Sequence, residues 1–236
     1  MRGSYDGDKR RMIFDPTQIL RTLAKHGVDH IVVGGVGGVL HGAPMSTDDV
    51  DIVPALRKSN LESLANALNE MHARLQVTDE PDGIEMSFTG KDLQRWIVDF
   101  RFLNLTTDYG RLDILYRPGG TTGYQDLAAN AENLDLGDLE IQVASLEDII
   151  RSKQTVARDR DLEQLPTLRL LLESKKTGIR PGKEVIVPWE LSETRGTVIE
   201  IRGAGPGAQA SVRVQVPGNG EEVLPFLLRH LRPADA

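Results

Sequence analysis

The sequence predicts an α+β chain followed by a small all-β module, and three observations carry that prediction. Up to about residue 174, helical patterns alternate with short β-branched runs. Within this part, the apolar run Ile31-Val32-Val33 meets Gly34-Gly35 and then the strand-like Asp49-Val50-Asp51-Ile52-Val53. Beyond Lys175-Lys176-Thr177-Gly178, glycine and proline punctuate short alternating segments to the end, the pattern of a small barrel. The expected organisation is a flexible N-terminus over 1–14, a larger domain over 15–176 and the barrel over 178–236.

Taken in order, Asp15 and Pro16 open a first helix that carries Ile19, Leu20 and Leu23 and closes at Gly27. Residues 31–33 read as a buried strand ending in a glycine turn, and 36–41 as a brief helix stopped by Gly42 and Pro44. Ser59 and Glu62 form a capping-box pattern ahead of Leu61, Leu64, Leu68 and Met71, giving a helix to about residue 73. Strand character follows over 84–88, 97–103 and 112–116. Helices are expected over 124–131 and 145–155, with Ser145 and Asp148 as the cap and a short strand at 141–143. The alternating run Ala157-Arg158-Asp159-Arg160-Asp161 opens a last helix to about Ser174. In the barrel, strands fall at 184–187, 196–201, 211–216 and 222–226, with turns at 203–207 and 217–220.

Composition narrows the function. With no cysteine, disulfides, thiolate metal sites and a cysteine nucleophile are excluded. A net charge of −7 disfavours broad attraction to nucleic acid, and no DNA partner is expected. No run approaches the ~20 apolar residues of a membrane span, so a cytoplasmic protein is expected.

The chemistry starts at Asp49 and Asp51. On a strand, residues i and i+2 share a face, so these carboxylates project side by side and repel unless a cation lies between them. Hard oxygen donors of this kind suit Mg²⁺, which takes one or two protein carboxylates and completes its shell with water and substrate phosphate. Neither a P-loop nor a complete dinucleotide fingerprint is present around the glycines. His41 reads as a structural histidine, and Trp96 and Trp189 as packing residues.

The order of Val33-Gly34-Gly35, His41-Gly42, Thr47-Asp48-Asp49-Val50-Asp51, Leu112-Asp113-Ile114-Leu115 and Ser145-Leu146-Glu147-Asp148 leading to Lys153, with Arg158 and Asp161 after it, resembles the polymerase-β-like nucleotidyltransferase superfamily. Within it the chain resembles the AbiEii-type toxins and lincosamide-type nucleotidyltransferases, over about residues 16–174. The resemblance implies a mixed sheet with surrounding helices. It also implies an NTP substrate such as ATP, Mg²⁺ or Mn²⁺ held by Asp49, Asp51 and Asp113, and transfer of a nucleoside monophosphate to a hydroxyl acceptor. That acceptor would be RNA, such as a tRNA end in a toxin-antitoxin system with a cognate antitoxin, or a small molecule such as an antibiotic. Gly34 and Gly35 would lie against the triphosphate, and Ser46 or Thr47 would donate a hydroxyl to it. Lys153 would add positive charge near the phosphates or the acceptor, and Asp161 would orient Lys153 or the loop. Asp99 competes with Asp113 for the third carboxylate. Met45 stands where the family often has arginine, which motivates an alternative, an inactive domain whose work is partner binding through the barrel. The segment from Arg180 to Pro188, followed by Arg195-Gly196-Thr197-Val198, resembles an SH3-like barrel.

Overall fold

The computed structural model describes residues 14–78, 80–189, 192–203, 205–216 and 218–235, so all but the last residue of the expected flexible N-terminus lies outside the described residues. The described chain forms two compact units. One comprises the residues up to Leu40 with Met45–Ser145, and the other His41–Pro44 with Leu146 onward. No described helix is long and apolar enough to cross a membrane.

The first unit runs α1 (Pro16–Lys25), β1 (His30–Val33), α2 (Gly34–Leu40), β2 (Asp49–Pro54), α3 (Lys58–Glu70), β3 (Arg74–Val77), β4 (Glu80–Glu85), α4 (Gly90–Phe100), β5 (Phe102–Thr107), β6 (Gly110–Leu115), α5 (Tyr124–Ala128), β7 (Glu132–Asp135) and β8 (Glu140–Val143). Its eight strands make one mixed sheet in the order β4-β3-β5-β6-β2-β1-β8-β7. β2 is antiparallel to β1 and parallel to β6. One face of these central strands carries Val32, Val50, Ile52, Leu103, Leu105, Leu112 and Ile114 into a core shared with α1, α3 and α4. Each such aliphatic side chain, fully buried, contributes about 1.5–3 kcal/mol of hydrophobic stabilisation.

Local sequence explains most of the helices. Asp15 caps α1 by accepting a hydrogen bond from the Gln18 amide at 3.0 Å, with Pro16 opening the first turn. α3 departs from the expected capping box: it begins at Lys58, after Arg57, and the cap residue makes no side-chain bond. The cause is Asn60, which is buried and holds the entry by accepting from the Asp29 amide and donating to the Asp29 and Ala55 carbonyls. Ser59 therefore falls inside the helix. The strand expected at 97–103 is a correction of the same kind, because residues up to Phe100 belong to α4 and β5 starts at Phe102. Thr89 caps α4 at Asp92, while Leu93 and Ile97, one turn apart, are both fully buried. Asp99 thus lies on an exposed helical position, away from any strand. The strand expected at 84–88 forms as Glu80–Glu85 instead, paired with β3, which sequence patterning did not mark.

The second unit carries α6 (Leu146–Val156) and α7 (Asp159–Thr177), then β9 (Glu184–Trp189), β10 (Ser192–Arg202), β11 (Gln209–Val216), β12 (Gly220–Leu227) and β13 (Arg232–Pro233). These strands form a five-stranded antiparallel sheet in the order β12-β11-β10-β9-β13. Val185, Val187, Val198, Ala210, Val212 and Val214 alternate inward along it, the period-two pattern expected from the sequence.

Candidate functional site

The parallel ladder of β2 and β6 sorts its residues into two rows. Val50 pairs with Leu112 and Ile52 with Ile114 on the core face, and all four are fully buried. On the opposite face Asp49 pairs with Arg111 and Asp51 with Asp113, and these four are half-buried. Neighbouring strands lie about 4.8 Å apart, so the carboxyl groups of Asp51 and Asp113 are set side by side. β5 extends the row, with Asn104 opposite Asp113 in the antiparallel β5–β6 pairing.

Asp49 is held by the chain itself. Thr47 Oγ1 donates to its Oδ1 at 2.9 Å, and Arg111 Nη2 lies 3.6 Å from its Oδ2 while pairing with Asp48 Oδ2 at 2.7 Å. The Thr47 hydroxyl proposed from sequence for a triphosphate is thus directed at Asp49. Ser46 is exposed and Met45 half-buried. Arg111, which the sequence reading missed, supplies a cation beside the acids although Met45 does not. The signal was present: Arg111 precedes Asp113 by two residues and must share its face. Asn104 was hidden because β5 was placed several residues early, which lost the parity of its alternation.

Gly34 and Gly35 are the first residues of α2, rather than a turn ahead of a helix starting at 36. Gly34 has φ +63°, and a Cβ built on it would stand 1.9 Å from Asp51 Oδ2. On Gly35 a Cβ would meet Thr47 Oγ1 at 2.5 Å. The glycine pair lets the backbone press directly against the carboxylate and hydroxyl of the acid strand.

Among the described residues, no three or more acidic, histidine or cysteine side chains are gathered at metal-ligand spacing. Asp49, Asp51 and Asp113 share a face without forming such a cluster. Asp51 and Asp113, in register across the ladder, match in number and type the one or two carboxylates that Mg²⁺ takes from a protein, the rest of its octahedral shell coming from water and phosphate.

Lys153 and Asp161 belong to the second unit, where they do meet. Lys153 Nζ lies 2.9 Å from Asp161 Oδ1, and the two side chains are only 11% and 15% exposed. This joins α6 to the first turn of α7. His41 is buried, and its Nδ1 accepts from Lys175 Nζ at 2.9 Å, in line with a structural histidine. Lys176 pairs with Glu147 at 2.8 Å, and its hydrogen bond is the main reason the Glu147 carboxyl titrates below the usual range.

No protein-family model matches the chain, and no curated protein sequence matches it significantly. Among solved structures, the lincomycin-bound lincosamide antibiotic adenylyltransferase LnuA superposes with a TM-score of 0.44 at 16% identity, covering 66% of this chain and 94% of that one. A candidate nucleotidyltransferase from Thermotoga maritima gives 0.40 at 19% identity, covering 70% and 99%. The protein JHP933 from Helicobacter pylori gives 0.37 at 16%, covering 67% and 66%. All three scores are below 0.5, so the chemistry assigned to this chain rests on its own residues.

Proposed function

We propose that this chain transfers a nucleoside monophosphate from an NTP to a hydroxyl-bearing acceptor. The observation that carries the reading is the pairing of Asp51 with Asp113 on the polar face of the β2–β6 ladder, with the α2 backbone pressed against Asp51. In this reading Asp51 and Asp113 hold Mg²⁺ or Mn²⁺, and Asp49 is the third carboxylate of the same face. When bound, the cation supplies charge stabilisation to the phosphoryl oxygens during in-line displacement.

The remaining roles fall to the chain's own groups. Gly34 and Gly35 set the start of α2 directly against Asp51 and Thr47, so a triphosphate held at the acid strand lies beside that backbone, with the Ser46 and Thr47 hydroxyls next to it. Lys153, oriented by Asp161, contributes positive charge. Asp113 accepts the proton of the acceptor hydroxyl. That oxygen forms the new bond to the α-phosphorus as the bond to the β-phosphate bridge breaks, and pyrophosphate leaves with the electron pair. The module from residue 178 onward, read as SH3-like, would bind a partner such as an antitoxin.

The test is incubation of the full chain with α-labelled NTPs, Mg²⁺, total RNA and a panel of small hydroxyl compounds. Label should move to one acceptor class and fail to move in Asp51→Asn. A wild-type protein that neither binds NTP nor transfers label overturns the proposal.

A further inference from the structure

One strand beyond Asp113, on the outer side of β5, the sheet comes apart. β3 and β5 pair only at Arg74↔Thr106 and Leu75↔Leu105, and the pairing of β3 with β4 slips between Leu75 and Val77. Phe102, Leu103 and Asn104 therefore have no ladder partner on β3, and a cavity of about 990 Å³ opens between the strands and the end of α4. That volume is at the upper end of the ~300–1,000 Å³ typical of small-molecule sites.

Three aromatic rings gather on the α4 and β5 side of the cavity, while Gln76 and Thr78 make the β3 side polar. Trp96, Phe100 and Phe102 line it with Leu75, and Asn104 and Arg111 add polar groups from β5 and β6. Phe100 and Phe102 are 61% and 56% exposed, large apolar rings left open at the mouth. Trp96 meets Phe88 edge-on at 6.3 Å, which fixes its ring on the core side. Among the described residues neither the Trp96 indole N–H nor the Asn104 carboxamide has a hydrogen-bond partner, so both are available to a ligand. Arg111 is already shared between Asp48 and Asp49, and Glu80 adds an acid to the wall. This leaves no surplus of positive charge for a phosphate backbone.

We propose that this cavity is the acceptor pocket and that it takes a small planar aromatic alcohol. The inference rests on the transfer reading. In the sheet order, β1 and the start of α2 lie on one side of β2, while β5 and the cavity lie on the other side of β6. With the triphosphate at the α2 end, the cavity holds the second reactant, its ring against Trp96, Phe100 and Phe102 and its hydroxyl directed past Asn104 toward Asp113. The step is the one already balanced: the aryl oxygen bonds to the α-phosphorus, its proton goes to Asp113, and pyrophosphate departs.

Calorimetric titration of the full chain with 2-naphthol, in the absence of NTP, tests the pocket without reference to catalysis. Saturable binding is expected, weakened at least fivefold in Phe102→Ala and in Asn104→Leu, and at least fivefold weaker for decahydro-2-naphthol. No saturable binding, or binding unchanged in both variants, overturns the pocket. A second arm adds α-labelled NTP and Mg²⁺, with the naphthyl nucleotide ester as the expected product. Label on total RNA and none on naphthol overturns the acceptor assignment. Bound naphthol with no transfer to any acceptor overturns the transfer reading while upholding the aromatic site.

Discussion

Asp51 and Asp113 stand opposite each other across a parallel ladder, on the half-buried face of two strands whose other face is fully buried. Two carboxylates on one face of neighbouring strands invite a cation between them. Mg²⁺ should therefore raise the melting temperature of the wild-type protein, since a ligand at one hundred times its Kd stabilises by about 2.7 kcal/mol. Asp51→Asn and Asp113→Asn should lose that response and fold normally without metal. A thermal melt with and without Mg²⁺ decides it, and a wild-type protein indifferent to Mg²⁺ counts against ligation by this pair.

Gly34→Ala should destabilise the first unit. The added Cβ would meet both a positive φ of +63° and the Asp51 carboxylate at 1.9 Å. The backbone conformation alone costs about 1 kcal/mol, and displacing Asp51 adds to it. The double variant Gly34→Ala with Asp51→Gly should recover the steric part in urea denaturation; failure to recover any of it would mean that the contact is relieved elsewhere.

Arg111→Ala should scarcely change stability, because its pairs with Asp48 and Asp49 involve a guanidinium side chain 35% exposed, and such surface pairs are worth about 0–1 kcal/mol. It should tighten Mg²⁺ binding severalfold by removing a competing cation. Metal titration followed by calorimetry reads both; weaker Mg²⁺ binding in the variant would show that Arg111 organises the acids instead of competing for them.

The Lys153–Asp161 pair should behave as a buried ion pair. Removing one partner, in Lys153→Met or Asp161→Leu, should cost about 3–5 kcal/mol, whereas removing both should cost less than either alone. A double-mutant cycle by chemical denaturation gives the coupling, and additive losses would show that the pair is solvated.

His30 predicts a pH dependence. Its Nδ1 donates to the Val28 carbonyl at 2.8 Å, and its buried Nε2 has no partner among the described residues. Burial is the main cause holding its pKa below the ordinary 6.5. The unfolded chain thus takes up the proton first, so stability is unaffected well above pH 6.5 and falls as pH drops below it, levelling off only beneath the depressed folded value. His30→Phe should flatten that part of the stability profile relative to wild type; an unchanged slope would assign it to the carboxylates.

The parts of this structure that could be read from the chain were those governed by local chemistry. Asp15-Pro16 marked α1, Asp49 to Val53 marked β2, and the alternation of Val185, Val187, Val212 and Val214 marked the second sheet. What escaped was decided by contacts distant in sequence. Asn60 spends its side chain on Asp29 and Ala55, which moves the start of α3, and Ile97 reads equally well in a strand until Leu93 is seen buried beside it. Arg111 becomes legible only once β6 is fixed as a strand, because its parity with Asp113 then sets it on the same face.

The mixed pairing around β2 has a consequence for how the chain can vary in length. Because Asp49, Asp51, Arg111 and Asp113 are distinguished from Val50, Ile52, Leu112 and Ile114 only by odd and even position, deletion or insertion of one residue within β2 or β6 would exchange the two sets. Carboxylates would then be driven into the core and valine onto the reactive face. Point changes here can be graded, but single-residue insertions and deletions act as switches, erasing fold and chemistry in one event, so length variation in this unit should be confined to the loops between the strands.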